Sequence, residues 1–349
     1  MTEYSEKLKC YFKCNELQPL FLHGDAYEVL RHFPNESIDF CMTSPPYWNQ
    51  REYQNGGIGL ETSREEYIAN LLRIFNEIKR ILKQTGSFWL NLGDTYQNKS
   101  LAGIPWRIAL AMTDSQNWIL RNDVIWNKIK GPDNSKDKLR NIHEYIFHFV
   151  KHPKNFYYDV DSIRSKPRET QVRYGSIISA TGVSGVRYKR QIELSTSLND
   201  AEKQAAFQTL NETLEEITNG TLSDFRMVIR NQQRTTHSNS EKVSGRAKEL
   251  IQKGFYILKY HPNGSKPSDI WEVLSENTAK RGEHYASYPE DLCKIPLLAT
   301  CPPNGIALDP FCGTGTTNLI ATKFSLKSIG IDLSQSYLDY ASRRCQAIL

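Results

Sequence analysis

Short apolar runs that alternate with amphipathic helical stretches constrain the fold of this chain more than any other feature. The runs FLHGD (21–25), SIDFCMTS (37–44) and SFWLNLGD (87–94) are nearly continuously apolar and end in polar residues, as strands buried on both faces do. Residues 63–83 between the last two place their apolar side chains on one helical stripe, which comprises Tyr67, Leu71, Ile74, Phe75, Ile78 and Leu82. Ser63 and a Glu three residues later predict a capping box at the start of this helix. Strands that alternate with helices predict a parallel sheet covered on both faces.

The alternation stops in the middle of the chain and resumes near its C-terminal end. Residues 165–270 are rich in Gly, Ser, Thr and Asn, with one helix predicted near 198–218. Beyond them, GIALDPFCGTGTT (305–317) has the pattern of a strand, a glycine-rich turn and a helix start. The sequence therefore predicts one α/β domain built from residues 15–164 and 271–349, with 165–270 inserted as a separate region.

Composition and cysteine spacing argue against a membrane-spanning or secreted protein and against a metal site formed by cysteines. No apolar run approaches the roughly 18–20 residues that span a bilayer, and the first residues are polar throughout. The seven cysteines are scattered and lack paired CxxC spacing, which predicts free thiols and no metal site. We therefore expect a cytoplasmic protein without a membrane partner.

Positive charge is concentrated in two blocks of the inserted region. Residues 164–190 hold seven Lys and Arg against one acidic residue, and residues 226–259 hold eight against two, in a chain whose net charge is +5. Such blocks suit a nucleic acid, but a charged run is more often simply a solvated face. Charge alone leaves both interpretations open.

A glycine-rich turn at the end of a strand is the first candidate site. It comprises Asp309, Pro310, Phe311, Gly313 and Gly315, and the next helix opens at Thr316 and Thr317. Close glycines let a ligand rest against bare backbone at the carboxyl end of a strand, although an ordinary turn can look the same. The following strand ends in Asp332, a carboxylate placed where ribose hydroxyls are often held, which favours a nucleoside cofactor. No Lys follows the glycines, which argues against an ATP-binding P-loop.

The second candidate site is Ser44-Pro45-Pro46-Tyr47, directly after a buried strand. Two prolines cannot continue a sheet and fix a rigid, extended exit, although a plain turn remains an alternative. An aromatic amine is a poor nucleophile because its lone pair is delocalised into the ring. The Ser44 hydroxyl and the Pro45 carbonyl could accept its hydrogens and localise that lone pair, while the Tyr47 ring stacks on the base.

Together the two motifs resemble the amino-methyltransferases of DNA. Because the Ser-Pro-Pro-Tyr element precedes the Asp-Pro-Phe-x-Gly-x-Gly element, the chain is similar to their circularly permuted β class, which includes modification methylases. The resemblance implies a Rossmann-like fold that binds S-adenosylmethionine through the glycine-rich turn and Asp332. It further implies that Asp25 contacts the adenine, and that His284, Ser287 and Pro289 lie over the methionine moiety. Ile125-Trp126-Asn127-Lys128 and His143-Glu144-Tyr145 resemble middle motifs of the family.

The resemblance also implies how the substrate is reached. Base amino groups lie inside the DNA duplex, so the target nucleotide is expected to flip into the pocket and stack on Tyr47 or Trp48. Residues 165–270 are expected to form the target-recognition region for double-stranded DNA. A companion restriction endonuclease is expected in the genome, but not as a bound subunit.

The choice of base depends on one residue. Ser in the first motif position, here Ser44, usually accompanies cytosine N4 in this family, whereas Asp accompanies adenine N6. We therefore predict N4 methylation of cytosine, with adenine N6 as the alternative. An inactive DNA-binding relative and an RNA methyltransferase are weaker alternatives.

Overall fold

The computed structural model describes residues 3–49, 57–131, 135–231, 245–275 and 288–349. The chain divides into two compact units. The first comprises Met1–Ser162 and Ser268–Leu349, and the second comprises Ile163–Pro267.

The first unit is built on one eight-stranded sheet. In chain order its strands are β1 (Leu20–His23), β2 (Ile38–Thr43), β3 (Leu82–Leu92), β6 (Ile119–Asn127), β7 (His143–Val150), β12 (Ile270–Glu272), β13 (Ile306–Asp309) and β14 (Lys327–Asp332). A small hairpin, β4 (Tyr96–Gln97) with β5 (Ser100–Leu101), lies outside it. The helices are α1 (Glu3–Lys13), α2 (Ala26–Leu30), α3 (Arg64–Ile81), α4 (Ile104–Gln116), α8 (Glu290–Thr300), α9 (Thr316–Lys323) and α10 (Gln335–Gln346).

The strand order across the sheet is β1-β14-β13-β2-β3-β7-β6-β12. Neighbours run parallel except β7, which is antiparallel to both β3 and β6. The predicted α/β class is therefore confirmed, and the sheet is parallel as predicted except at β7. Because β7 is reversed, its first residues lie at the same edge of the sheet as the last residues of β2, β3 and β13.

Two apolar clusters line opposite faces of this sheet. Phe88 and Leu90 of β3 belong to the cluster under α1 to α4, whereas Trp89 between them belongs to the cluster under α8 and α9. Successive strand side chains point to opposite faces, so both faces are covered by helices, as the sequence predicts. Within the residues described above, no helix is both long and apolar enough to cross a membrane.

Helix α3 forms for the reasons visible in its sequence. The Ser63 side chain accepts a hydrogen bond from the backbone of Glu66, and the predicted stripe is buried from Tyr67 to Ile78. The last residue of the predicted stripe, Leu82, is instead the first residue of β3, which begins five residues before the predicted strand. Its side chain is buried in either conformation, so its apolarity could not distinguish helix from strand.

The second unit has its own apolar core. Its elements are β8 (Gln171–Arg173), β9 (Ser176–Ile178), α5 (Gly185–Glu193), α6 (Asp200–Thr218), β10 (Asp224–Ile229), α7 (Gly245–Lys253) and β11 (Phe255–Tyr260), after a 3-10 turn at Asp161–Ile163. Helix α6 matches the helix predicted near 198–218. Tyr188 of α5 packs on Phe225 of β10, and Leu210 of α6 is fully buried in the same cluster.

Candidate active site

The two sequence motifs meet at neighbouring strand ends. Leu308 of β13 pairs with Cys41 of β2 in parallel register. Two residues beyond Cys41, the Thr43 hydroxyl donates a 2.6 Å hydrogen bond to Oδ1 of Asp309, the residue after Leu308. The Ser-Pro-Pro-Tyr element and the glycine-rich turn therefore leave the sheet side by side at its carboxyl edge.

Asp309 organises the turn from inside the protein. Its carboxylate is 1% exposed and also accepts hydrogen bonds from the Thr317 hydroxyl (2.8 Å), the Tyr288 hydroxyl (2.9 Å) and the Phe311 amide (3.1 Å). Burial raises the pKa of Asp309, and these donors oppose that rise. Asp309, predicted as a cofactor ligand, thus directs its carboxylate to the chain itself.

The backbone of the turn depends on its glycines. Gly313 and Gly315 have φ values of 50° and 73°, in the left-handed region. A Cβ on Gly315 would lie 2.7 Å from the Cβ of Ala341 in α10, so packing also excludes a side chain there. Pro310 is buried and Phe311 is half-buried in this turn, and Thr316 begins α9 as predicted.

Asp332 lies directly beside this turn. Its Oδ2 accepts from the Gly313 amide and its Oδ1 from the Ser334 amide, each at 2.9 Å. Burial raises the pKa of Asp332. Each carboxylate oxygen can accept more than one hydrogen bond, so capacity remains for two neighbouring hydroxyls such as those of a ribose.

The other residues predicted to bind the cofactor lie in two segments of the chain, one after β1 and one before α8. β1 pairs with β14, which places His23 opposite Asp332. Asp25, two residues later, caps α2 by accepting from the Glu28 amide at 3.1 Å. Pro289 is buried at the start of α8. His284 and Ser287 fall outside the described residues.

The first motif carries a polar network. The Tyr47 hydroxyl donates to Oε2 of Glu144 (2.6 Å) and accepts from the Ser44 hydroxyl (3.1 Å) and from Nδ2 of Asn91 (3.0 Å). The same Asn91 nitrogen lies 3.3 Å from Oγ of Ser44 and 2.8 Å from Oε2 of Glu144. The Lys128 ammonium pairs with Oε1 of Glu144. Burial, and then the Glu144 charge, raise the pKa of Tyr47 well above its usual range, so the phenol keeps its proton and remains a donor.

The two prolines are fixed by their neighbours. The Tyr67 hydroxyl of α3 donates to the Pro46 carbonyl at 2.9 Å. Pro45 is buried and Pro46 half-buried. With the Pro46 carbonyl engaged, the Pro45 carbonyl is the candidate acceptor beside Ser44.

The structure favours one of the two stacking candidates. Trp48 is 4% exposed, packs in the apolar cluster under α1 to α4 and donates its indole N–H to the Glu61 carbonyl at 3.0 Å. That burial argues against the expected stacking of a base on Trp48. Tyr47 is half-buried, and Gly93 leaves room for its ring, since a Cβ there would lie 2.7 Å from Cε2 of Tyr47.

Sequence reasoning placed Lys128 and Glu144 in stretches that resemble middle motifs of the family but gave neither residue a role, and it did not single out Asn91. One signal was present: Asn91 is a polar residue within the apolar run 87–94. In the structure it is 1% exposed, and its Oδ1 has no hydrogen-bond partner among the residues that the structure describes. A buried acceptor without a donor, next to Ser44, suits a ligand that brings an N–H group.

Comparison with known proteins gives a family match over most of the chain. A DNA methylase family model for N6 and N4 methyltransferases matches residues 38–343. The type II methyltransferase M.SfiI of Streptomyces fimbriatus is 29% identical, over 91% of this chain and 89% of that protein. M.SmaI of Serratia marcescens is 26% identical, over 92% of this chain and 88% of that protein.

Solved structures share the fold. The PvuII DNA methyltransferase (cytosine-N4-specific) superposes with a TM-score of 0.56 at 17% identity, over 94% of this chain and 89% of that chain. A DNA modification methylase of Thermus thermophilus, complexed with S-adenosyl-L-methionine, gives a TM-score of 0.51 at 17% identity, over 95% of this chain and 94% of that chain. The family match covers most of the sequence, and the Ser-Pro-Pro-Tyr element and the glycine-rich turn lie at neighbouring strand ends. This chain belongs to the N6/N4 DNA methylase family, whose relatives include the modification methylases of restriction-modification systems.

Proposed function

We propose that this protein transfers a methyl group from S-adenosylmethionine to the exocyclic N4 of a cytosine in double-stranded DNA, as a modification enzyme. The observation that carries the proposal is the junction at Thr43 and Asp309, which brings the Ser-Pro-Pro-Tyr element beside the glycine-rich turn. A cofactor held at that turn and a base held at Ser44 would share one edge of the sheet.

The cofactor is S-adenosylmethionine, and the residues around the turn fit it. The free capacity of Asp332 suits ribose hydroxyls, and Gly313 and Gly315 expose backbone to the ligand. We assign the adenine to the vicinity of Asp25 and the methionine moiety to the segment before α8 that contains His284, Ser287 and Pro289. When bound, the sulfonium supplies an electrophilic methyl carbon and needs no metal.

The chain's own residues would prepare the amine. The Ser44 hydroxyl donates a hydrogen bond to the Tyr47 oxygen, which leaves the Oγ lone pair that does not face Asn91 available as an acceptor. The Ser44 hydroxyl oxygen and the Pro45 carbonyl would accept hydrogen bonds from the NH₂ group of the base, which localises the lone pair on its nitrogen. Tyr47 would stack on the flipped base and hold the nitrogen in line.

We assign the second unit to DNA recognition. Several cations of its two basic blocks are exposed and have no ion pair among the described residues; these are Lys166, Arg173, Arg187, Arg190, Arg226, Arg246 and Lys248. Exposed arginine and lysine side chains form hydrogen bonds with DNA phosphates and with the edges of guanine bases. These exposed cations support double-stranded DNA as the partner.

Cytosine N4 is favoured by Ser44 in the first motif position, and adenine N6 is the second candidate. The deciding experiment methylates a plasmid with purified protein and labelled cofactor, digests it to nucleosides and identifies the labelled product by mass spectrometry. N4-methylcytosine is expected. N6-methyladenine would favour the second candidate, and a parallel reaction in which added RNA is labelled while the plasmid is not would overturn the proposal.

A further inference from the structure

The hydrogen-bond network under Ser44 has a direction. Tyr47 donates to Glu144 at 2.6 Å, so its single proton is committed to the carboxylate. The phenol oxygen can then only accept, and Ser44 donates to it at 3.1 Å. The Ser44 proton therefore points into the protein, and the Oγ lone pair that does not face the Asn91 amide is left for the substrate.

The origin of that direction is a buried charge. Glu144 is 7% exposed at the start of β7, and Lys128, just beyond the end of β6, pairs with its other oxygen. Burying such a pair carries a large desolvation penalty and is weak evidence for a role in stability. A carboxylate kept there at the site edge therefore calls for another explanation.

We propose that Glu144 is a positioning residue for methyl transfer, which sets the direction of the chain Ser44 to Tyr47 to Glu144 and so makes Ser44 an acceptor toward the target amine. Lys128 holds the carboxylate in the orientation that this requires. The inference rests on the proposed function and deepens it, because it names what keeps a Ser44 lone pair free.

Only a carboxylate satisfies both sides of this position. One oxygen faces the Lys128 ammonium, which cannot accept, and the other faces the Tyr47 hydroxyl and the Asn91 amide nitrogen. The amide of Glu144→Gln must turn its oxygen to Lys128, so its NH₂ faces Tyr47. Tyr47 would then accept from Gln and donate to Ser44, which would present a proton to the amine in place of a lone pair.

The test is a set of three variants assayed on a methylatable duplex. Glu144→Gln is expected to lower kcat by about 10²-fold, the range for losing one preorganised hydrogen bond, with the KM for cofactor within twofold. Adding Lys128→Met frees the amide oxygen to accept from Tyr47, so Glu144→Gln with Lys128→Met should recover at least tenfold of that loss. In a Tyr47→Phe background, Glu144→Gln should change kcat by less than threefold, because the connection from Glu144 to Ser44 through the Tyr47 hydroxyl is already cut and only the contacts of Asn91 remain.

Undiminished kcat in Glu144→Gln, no recovery on adding Lys128→Met, or full multiplicative losses in the Tyr47→Phe background would overturn the inference. Thermal unfolding and calorimetric cofactor binding establish that each variant is folded.

If Glu144→Gln alone does not fold, the double variant Glu144→Gln with Lys128→Met is used for the test, because it removes both buried charges. A kcat within tenfold of wild type then supports the inference. A loss of about 10²-fold in kcat with cofactor affinity retained overturns it. Wild-type protein that methylates no duplex overturns the proposed function and the inference together, whereas an active wild type confines failure to the inference.

Discussion

Thr43 and Asp309 lie 266 positions apart in the chain, yet the hydroxyl of one donates a 2.6 Å hydrogen bond to the carboxylate of the other. Both side chains are buried at the ends of neighbouring parallel strands. The bond therefore ties the segment proposed to hold the base to the segment proposed to hold the cofactor.

Removing that bond should destabilise the first unit. Thr43→Val keeps the side-chain shape but leaves a buried carboxylate oxygen with one donor fewer, which typically costs about 1–3 kcal/mol. We expect the free energy of unfolding in urea to fall by that amount. Thr113→Val makes the same chemical change on the exposed face of α4 and should stay within about 0.5 kcal/mol of wild type. Equal stability of the two variants would contradict the account.

Replacing Asp332 should weaken cofactor binding, and thermal unfolding checks that the variant, which loses the acceptors of the Gly313 and Ser334 amides, is still folded. The Asp332 side chain is partly buried and retains hydrogen-bonding capacity, so Asp332→Ala should weaken S-adenosylmethionine binding by about 10- to 100-fold, the range for charge-assisted hydrogen bonds. Isothermal titration calorimetry measures the dissociation constant directly. Asp339→Ala, on the exposed side of α10, is the matched control. An unchanged affinity in Asp332→Ala would remove the ribose role from this residue.

His148 should make stability depend on pH. It is fully buried, its ring stacks on Trp89 at 4.1 Å, and burial lowers its pKa to about 3 from an ordinary 6.5. Because only the unfolded chain binds the proton between those values, the stability contributed by the neutral ring is complete above pH 6.5 and is lost as the pH falls toward 3.

Urea unfolding at about pH 7.5, 6.0 and 5.0 measures this effect. Wild type should lose up to about 1.4 kcal/mol per pH unit below about 6.5 from this residue alone. His148→Gln, which offers Ser87 a polar partner without titrating, should lose that slope. His152→Gln removes an exposed histidine and should keep the wild-type slope. Parallel curves for wild type and His148→Gln would show that His148 titrates normally.

The sequence was sufficient for features that depend on local pattern. The stripe of α3, its Ser63 cap and the turn at Gly313 follow from spacing and residue type, which local sterics and burial determine. The reversed strand β7 and its contact with Tyr47 depend on strand order, which no local pattern encodes. The sequence therefore placed Glu144 in a stretch that resembles a family motif but could not predict its contact with Tyr47.

Charge counting overestimated the free cations of the second unit. Arg168 pairs with the buried Asp224 and lies 4.6 Å from the Tyr260 ring centroid, and Arg230 pairs with Glu202. These partners are distant in sequence, so the basic blocks looked less neutralised than they are. The exposed cations that remain are the ones on which a DNA-binding role depends.

The hairpin of β8 and β9 offers the sharpest test of that role. Its two-residue turn, Tyr174-Gly175, has φ values of 51° and 73°, a conformation that suits Asn-Gly and strains Tyr. The Tyr174 side chain is fully exposed, so a bulky aromatic occupies a strained position without burial in the chain. A contact between this hairpin and DNA, by stacking on a base or by insertion into a groove, would explain why a tyrosine occupies position 174.

Tyr174→Asn should therefore move stability and DNA affinity in opposite directions. Relief of the backbone strain should leave the free energy of unfolding unchanged or raise it by a few tenths of a kcal/mol, about the size of such turn effects. DNA affinity, measured by fluorescence anisotropy at fixed salt, should fall by about tenfold, equivalent to one stacked base at about 1–3 kcal/mol. Val186→Ala trims another exposed apolar side chain of the same unit, on α5, and should leave both quantities near wild type. DNA affinity equal to wild type in Tyr174→Asn would exclude the hairpin tip from the interface, whereas a loss of stability would mean that the tyrosine serves the fold.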